Sequence, residues 1–260
     1  MKLLIYLFCL LIITPLSYAE DAQIQALFER NNASGTMVIS SLNSHTVYIH
    51  NAERANTPFS TASTFKIPNS LIALEENLIK DSKSVIKWDG TEYEYTSWNK
   101  DQTLQSAYKV SCVWCYQKLA NEIGPAKYKS YLSKMRYGQL TESFNTTTFW
   151  LDNSLTITAT QQIDFLKHVY NRSLPFSPSS YDTLSEIMIE DINDTAILRA
   201  KTGWAARLTP QVGWYVGYVE KGVDVWFFAT NLEIKNKSDL TLRKQLTLEA
   251  LRIKGILKSH

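Results

Sequence analysis

Histidine, cysteine, net charge and long apolar runs are all scarce in this 260-residue chain, and each shortage excludes something. The four histidines, at positions 45, 50, 168 and 260, are too scattered to complete a zinc site, and no metal is expected. The formal charge of +2 falls toward neutrality once Lys2 is set aside, which gives no reason to expect nucleic acid or an acidic membrane surface as partner. Beyond the N-terminus no apolar run could span a bilayer, and there is no repeat, low-complexity tract or linker that would separate independent domains. Cys9 lies in the N-terminal apolar segment, leaving Cys112 and Cys115 as a C-x-x-C pair. No thioredoxin-like βαβ pattern surrounds that pair, so three readings stay open: two buried thiols, a local disulfide, or redox or metal chemistry.

What is present is the composition of a globular enzyme, 45% hydrophobic and 12% aromatic. Residues 1–19 read as an export signal: Lys2, the apolar run Leu3 to Ile13, Pro15, and Ser17-Tyr18-Ala19 as the cleavage site. Cleavage near Ala19 implies a periplasmic protein with no membrane segment left, and residues 20–260 are expected to form one domain with lobes sharing a cleft.

Two β-branched runs, Thr36 to Ser40 and Thr46 to His50, flank Leu42-Asn43-Ser44 and predict a hairpin. Ile67, Leu71, Leu74 and Leu78 recur at helical spacing from Ser63 to Lys80, and Pro68 predicts an irregular start to that helix. Residues 100 to 195 read as a mostly helical lobe, with helical patterns at Tyr116 to Ile123 and Gln161 to Tyr170. Val212 to Val219 and Val223 to Asn231 predict a second hairpin, and Leu242, Leu246, Leu251 and Ile253 a closing amphipathic helix.

Ser63-Thr64-Phe65-Lys66 carries the chemistry. On a helix, residues three apart share a face, so Lys66 is the base candidate for the Ser63 hydroxyl. A lysine of ordinary pKa, about 10.4, is protonated at neutral pH and cannot take a proton. Burial lowers that value, and the neutral amine can then add carbon dioxide to give a carbamate. Alone, S-x-x-K is far more often a helix cap beside a solvated lysine. Ser111-Cys112-Val113 and Lys201-Thr202-Gly203, in that order, turn one weak match into a constellation. Gly203 would let a ligand approach the strand backbone closely.

Together with Tyr137-Gly138-Gln139, Phe149-Trp150-Leu151, Trp204 and Leu242-Arg243-Lys244, these segments closely resemble the class D, oxacillinase-type serine β-lactamases. The resemblance covers essentially the whole chain after the signal. It implies the β-lactamase/transpeptidase fold, an α+β arrangement in which a five- or six-stranded antiparallel sheet flanked by helices meets a helical lobe at a cleft. It implies that Ser63 attacks a β-lactam carbonyl and that N-carboxylated Lys66, loaded from carbon dioxide or bicarbonate, is the base for acylation and deacylation. The backbone N–H groups of Ser63 and Trp204 would form the oxyanion hole, and Ser111 would relay a proton to the ring nitrogen. Trp150 would donate to the carbamate, with Val113 and Leu151 as its apolar wall. Lys201, Thr202, Gly203 and Arg243 would line the carboxylate end of the substrate site, and Trp98 would stand at the cleft mouth.

Gln139 replaces the family's usual asparagine and must be accommodated by a nearby loop. Arg207 and Asp152 are a candidate ion pair closing the cleft. A β-lactam sensor domain and a DD-peptidase share Ser-x-x-Lys and are the alternatives. No feature marks an oligomer interface, so monomer and homodimer are both open.

Overall fold

The computed structural model describes residues 19–193 and 195–258, so the expected export signal lies outside the described residues apart from Ala19. Helix α1 (Ala22–Arg30) is capped by the Asp21 carboxylate, which accepts from Ile24 N, and leads into β1 (Gly35–Ser41) and β2 (Val47–His50). That pair is the expected first hairpin. A short helix α2 (Ala52–Ala55) and strand β3 (Phe59–Ser60) precede a 3-10 turn, Ala62–Phe65, which runs into α3 (Lys66–Glu75). Pro68 sits in the first turn of α3, where no intrahelical N–H bond is required, and the irregular entry is the 3-10 turn. The helix stops short of Lys80. Asn77 takes the left-handed conformation (φ 56°), and Leu78 N donates to Ala73 O, closing the helix in a Schellman-like cap.

Strands β4 (Val85–Ile86) and β5 (Gln102–Thr103) bracket a loop that reaches the cleft. Helices α4 (Leu104–Lys109), α5 (Val113–Ile123) and α6 (Pro125–Met135) follow, then β6 (Gln139–Leu140), β7 (Leu155–Ile157), α7 (Ala159–Tyr170) and α8 (Pro178–Met188). The next segment corrects the sequence reading: Ile189–Asn193 is not helical but strand β8. Its Glu-Asp content hides its strand character, and pairing with β9 (Ala196–Ala205) overrides weak local preference. β10 (Gln211–Lys221) and β11 (Asp224–Ile234) form the second hairpin, and α9 (Leu242–Ile253) closes the chain.

The main sheet runs β2-β1-β11-β10-β9-β8, antiparallel throughout. Helices α1 and α9 cover one face, where Ile24, Phe28, Leu246 and Leu251 pack with Met37, Tyr215 and Phe228. The helical lobe covers the other. With both faces covered, β1 is buried at every position and lacks the alternation of a half-exposed strand. This is the penicillin-binding/β-lactamase architecture expected from the sequence.

The lobe is organised around Phe65, 1% exposed, whose ring meets those of Tyr128, Tyr137, Phe149 and Trp150 at centroid separations of 5.0 to 6.1 Å. Edge-to-face and offset contacts of this kind add to simple area burial. The small sheet β3-β7-β6 holds Tyr137 in place: Gly138 has φ 63°, and a Cβ there would collide with Thr156 O. Gln139 is exposed in β6, so its extra methylene extends into solvent and no loop has to make room for it. Phe65→Ala should cost about 3–5 kcal/mol in urea unfolding, through lost burial and the cavity left behind. A loss below about 1 kcal/mol would show that the aromatic cluster closes up without it.

Candidate active site

The two lobes meet at a cavity of about 550 Å³. Ser63, Trp98, Ser111, Val113, Leu151, Thr202, Gly203, Trp204 and Arg243 all line it, although they come from six different segments of the chain. Lys66, Trp150 and Lys201 lie behind that surface, 1%, 0% and 4% exposed.

Ser63 sits in the 3-10 turn, directly after Ala62 at φ 46°. An alanine in the left-handed region is held there only by its surroundings. Lys66 Nζ lies 3.3 Å from Ser63 Oγ and 4.7 Å from the centre of the Tyr116 ring. Burial drives the Lys66 amine well below the ordinary lysine pKa, and the nearby Lys201 adds to the effect. Among the described residues no carboxylate pairs with it, and the Trp150 indole N–H, equally buried, has no protein acceptor. A buried donor without an acceptor is costly and calls for a partner.

On the second wall Ser111 connects α4 to α5 with φ 54°, again left-handed. Lys201 Nζ donates to Ser111 Oγ at 2.6 Å and lies 5.3 Å from the Tyr108 ring centre. Burial, with Arg243 nearby, brings the Lys201 pKa down to about 7, against the opposing influence of Glu190. Cys112 and Cys115 are joined in a disulfide, which settles the open readings of that pair.

The third wall is the free edge of β9. β8 pairs with β9 only as far as Arg199, and beyond it the Ser63 turn packs against β9 in place of a strand. Gly203 is needed for that packing: a Cβ there would meet Thr64 Cγ2 and Trp214 Cβ at 3.2 Å and Thr64 N at 3.3 Å. The glycine therefore admits the Ser63 turn itself, in addition to any ligand. Arg243 donates from Nη1 to Gly203 O and from Nε to Leu240 O, both at 2.6 Å, so its guanidinium is fixed before any ligand arrives. Burial lowers its pKa to about 10, which leaves it cationic at neutral pH.

A family model describing the penicillin binding protein transpeptidase domain matches residues 21–252. The chain is 39% identical to beta-lactamase OXA-48 of Klebsiella pneumoniae over 92% of its length and 91% of that protein's. It is 36% identical to beta-lactamase OXA-5 of Pseudomonas aeruginosa, covering 93% and 91%. The solved class D β-lactamase FUS-1 (OXA-85) from Fusobacterium nucleatum superposes with a TM-score of 0.90 at 33% identity, covering 92% of this chain and all of that one. The class D enzyme YbXI from Nostoc gives 0.88 at 38%, covering 90% and 99%. The chain belongs to the class D β-lactamases.

Within this class D site, one pairing read from the sequence is absent. Arg207 lines the cavity but makes no ion pair with Asp152, whose carboxylate instead accepts from Thr148 Oγ1 at 2.7 Å and Ser154 N at 3.1 Å, inside its own turn. Asx-type turns of this kind satisfy an aspartate locally. Sequence reasoning also missed Tyr93, Glu94 and Tyr95, which line the cleft beside Trp98, and Tyr116, whose ring faces Lys66. The aromatic run in a polar loop was the available signal for the first group; for Tyr116 there was none, since its helix reads as ordinary core. Gly203→Ala should lower kcat/KM about tenfold while the protein stays folded, because Thr64 and the Ser63 beside it must shift by a few tenths of an ångström. Unchanged kinetics would mean that β9 and the turn tolerate the extra methyl without displacing the nucleophile.

Proposed function

We propose that this class D β-lactamase hydrolyses penicillin-type β-lactams in the periplasm through an acyl-enzyme on Ser63, with carboxylated Lys66 as its base. The observation that carries the base assignment is a lysine amine buried beside Ser63 Oγ, together with the equally buried Trp150 indole N–H, which lacks an acceptor and whose ring stacks on that of Phe65, the residue before Lys66. That donor set fits a carbamate: a neutral amine to receive carbon dioxide, Trp150 Nε1 to donate to the resulting oxygen, and Val113 and Leu151 to keep water away. When present, the carbamate supplies an anionic oxygen base where an ammonium cannot serve.

The remaining roles belong to the chain's own groups. Ser63 Oγ gives up its proton on the Lys66 side and adds to the ring carbonyl. The backbone N–H groups of Ser63 and Trp204 receive the developing oxyanion; losing one such donor typically costs about 10²–10³ in rate. Ser111, held by Lys201, relays to the departing ring nitrogen the proton that Ser63 gave up, and so ends the step with its own hydroxyl intact. Arg243 and Thr202 take the substrate carboxylate, for which a pre-positioned guanidinium has the right fork of donors. Trp98 bounds the side-chain end of the cleft.

Turnover of a chromogenic cephalosporin should be sustained, rise with added bicarbonate and vanish in Lys66→Ala. A single stoichiometric burst would instead indicate acylation without deacylation, as in a sensor domain or DD-peptidase. The two lysines also predict the pH profile. Lys66 is useful only as the free amine, so activity falls on the acid side as it takes a proton; Lys201 is cationic below about pH 7 and neutral above it. For an anionic penicillin, kcat/KM should therefore decline on the basic side through about pH 7. At saturation kcat should hold to higher pH, since a bound carboxylate favours the ammonium form. A flat basic limb in both parameters would remove Lys201 from substrate recognition and proton relay.

A further inference from the structure

We propose that the Cys112–Cys115 disulfide is a positioning device for the second active-site wall, holding Ser111 and Val113 so that full activity requires the oxidised chain. The bond encloses the first turn of α5: Cys112 is its N-cap, Val113 its first residue, and the two Cα atoms lie 5.5 Å apart. A helix's first turn has N–H groups with no intrahelical acceptor, and it is normally pinned by a Ser, Thr, Asp or Asn cap. Here the cap is sulfur, a weak acceptor, which takes Cys115 N at 3.3 Å. The covalent link does what a strong cap would do, and fixes Cys112 as well.

What it fixes matters because Ser111 immediately precedes it. A serine at φ 54° relaxes unless its neighbours over-determine it. Backbone bonds close the turn on both sides of it, Ser111 N donating to Tyr108 O and Cys112 N to Ala107 O, and Trp98 Nε1 donates to Val110 O. On the C-terminal side the constraints are the disulfide and Trp114 Nε1, which donates to Trp98 O. Cutting the bond leaves the Cys112 N and Trp114 Nε1 hydrogen bonds in place but loosens the first turn of α5, so that Val113 can shift at the cavity wall and Ser111 with it.

Two other roles for the pair fit less well. Thiol exchange with a partner protein needs an accessible sulfur, and both cysteines are fully buried. Global stabilisation grows with the length of chain closed by the bond, and a loop this short constrains little of the unfolded state. The benefit is therefore local, in the geometry of Ser111 and Val113.

The part of this inference that concerns Val113 rests on the carbamate reading above; the part that concerns Ser111 does not. Three samples separate them: the oxidised chain made through the periplasm, the dithiol chain made in a reducing cytoplasm without residues 1–19, and Cys112→Ala/Cys115→Ala. Each is normalised to Ser63 sites titrated by the acylation burst. The dithiol chain and the double variant should lose about tenfold in kcat/KM per titrated site. They should also need several-fold more bicarbonate for half-maximal turnover, and re-oxidation should restore the dithiol chain but not the variant. If the oxidised chain itself shows no bicarbonate dependence, the carbamate reading fails, and the positioning role is then decided by kcat/KM and re-oxidation alone. Equal kcat/KM per site in all three samples, with only thermal stability changed, would overturn the proposal. Two free thiols in the periplasmic product by alkylation and mass measurement would do the same. Should the double variant fail to fold, the dithiol and re-oxidised chains carry the test.

Discussion

A lysine amine buried without a carboxylate is the constraint on which the rest of this structure depends. Lys66 is 1% exposed and touches the Tyr116 ring and the Ser63 hydroxyl, with Phe65 and its ring neighbours one residue away; the charged group near it, Lys201, is a second cation that disfavours the ammonium further. An adjacent Asp or Glu would have held the amine in its charged form and made it useless as a base or as a receiver of carbon dioxide. The dense aromatic packing of the helical lobe thus bears on the protonation of Lys66, since it excludes the water that would otherwise stabilise an ammonium. Trp150 belongs to the same arrangement, its ring in the Phe65 cluster and its indole N–H left over for something that is not protein.

Given that buried base, the fold's remaining task is to bring two independently built walls to it and lock them. Trp214 on β10 donates from its indole to Ser60 O at 2.8 Å, and Ser60 Oγ donates to Trp150 O at 3.2 Å, so sheet, nucleophile turn and aromatic lobe are linked in series. Tyr108 OH donates to Ala200 O at 3.3 Å, joining the helix before Ser111 to the strand that carries Lys201. Arg243 reaches from α9 to Gly203 O and ties the far helix to the same strand. Left-handed Ala62 and Ser111 stand where these links converge. Backbone strain of about 1–3 kcal/mol at each is what a site built on tight turns, rather than on regular helix, requires.

The parts of this arrangement that were legible in the sequence are those in which residue type and spacing act locally. Ser63 and Lys66 lie three apart, and no tertiary information is needed to place them on one face. Pro68 announced an irregular entry to its helix, and the two hairpins followed from β-branched runs around turn residues. Illegible features were those decided by partners distant in the chain. The strand Ile189–Asn193 exists because β9 offers it an edge. Asp152 turned to Thr148 and Ser154 rather than Arg207 because a local acceptor site was already satisfied. Gln139 became harmless once it faced solvent. The disulfide could not be chosen over two thiols without the Cα separation, and the packing role of Gly203 against Thr64 was invisible without the turn opposite. Residue roles in the chemistry came from the family resemblance, and the geometry supports them unequally. It places Ser63, Lys66, Ser111 and Lys201 in two hydrogen-bonded pairs, but gives Trp98 no more than a position at the cavity wall with its indole N–H committed to Val110 O.

The same geometry sets a conflict between stability and function. Both active-site lysines bind a proton less readily in the folded chain than in the unfolded one, Lys201 near pH 7 against an ordinary value of about 10.4. Between those values the unfolded chain holds protons that the native state has released, so stability rises with pH across the window, and the penalty is full below about pH 7. At neutral pH the protein is therefore held away from its own stability optimum by the two amines to which the proposed chemistry assigns roles. Apolar residues of similar size at those positions would relieve the penalty and remove both groups from the proposed chemistry. The aromatic cluster around Phe65 and the two covering helices on the sheet's far face are the burial that opposes this cost.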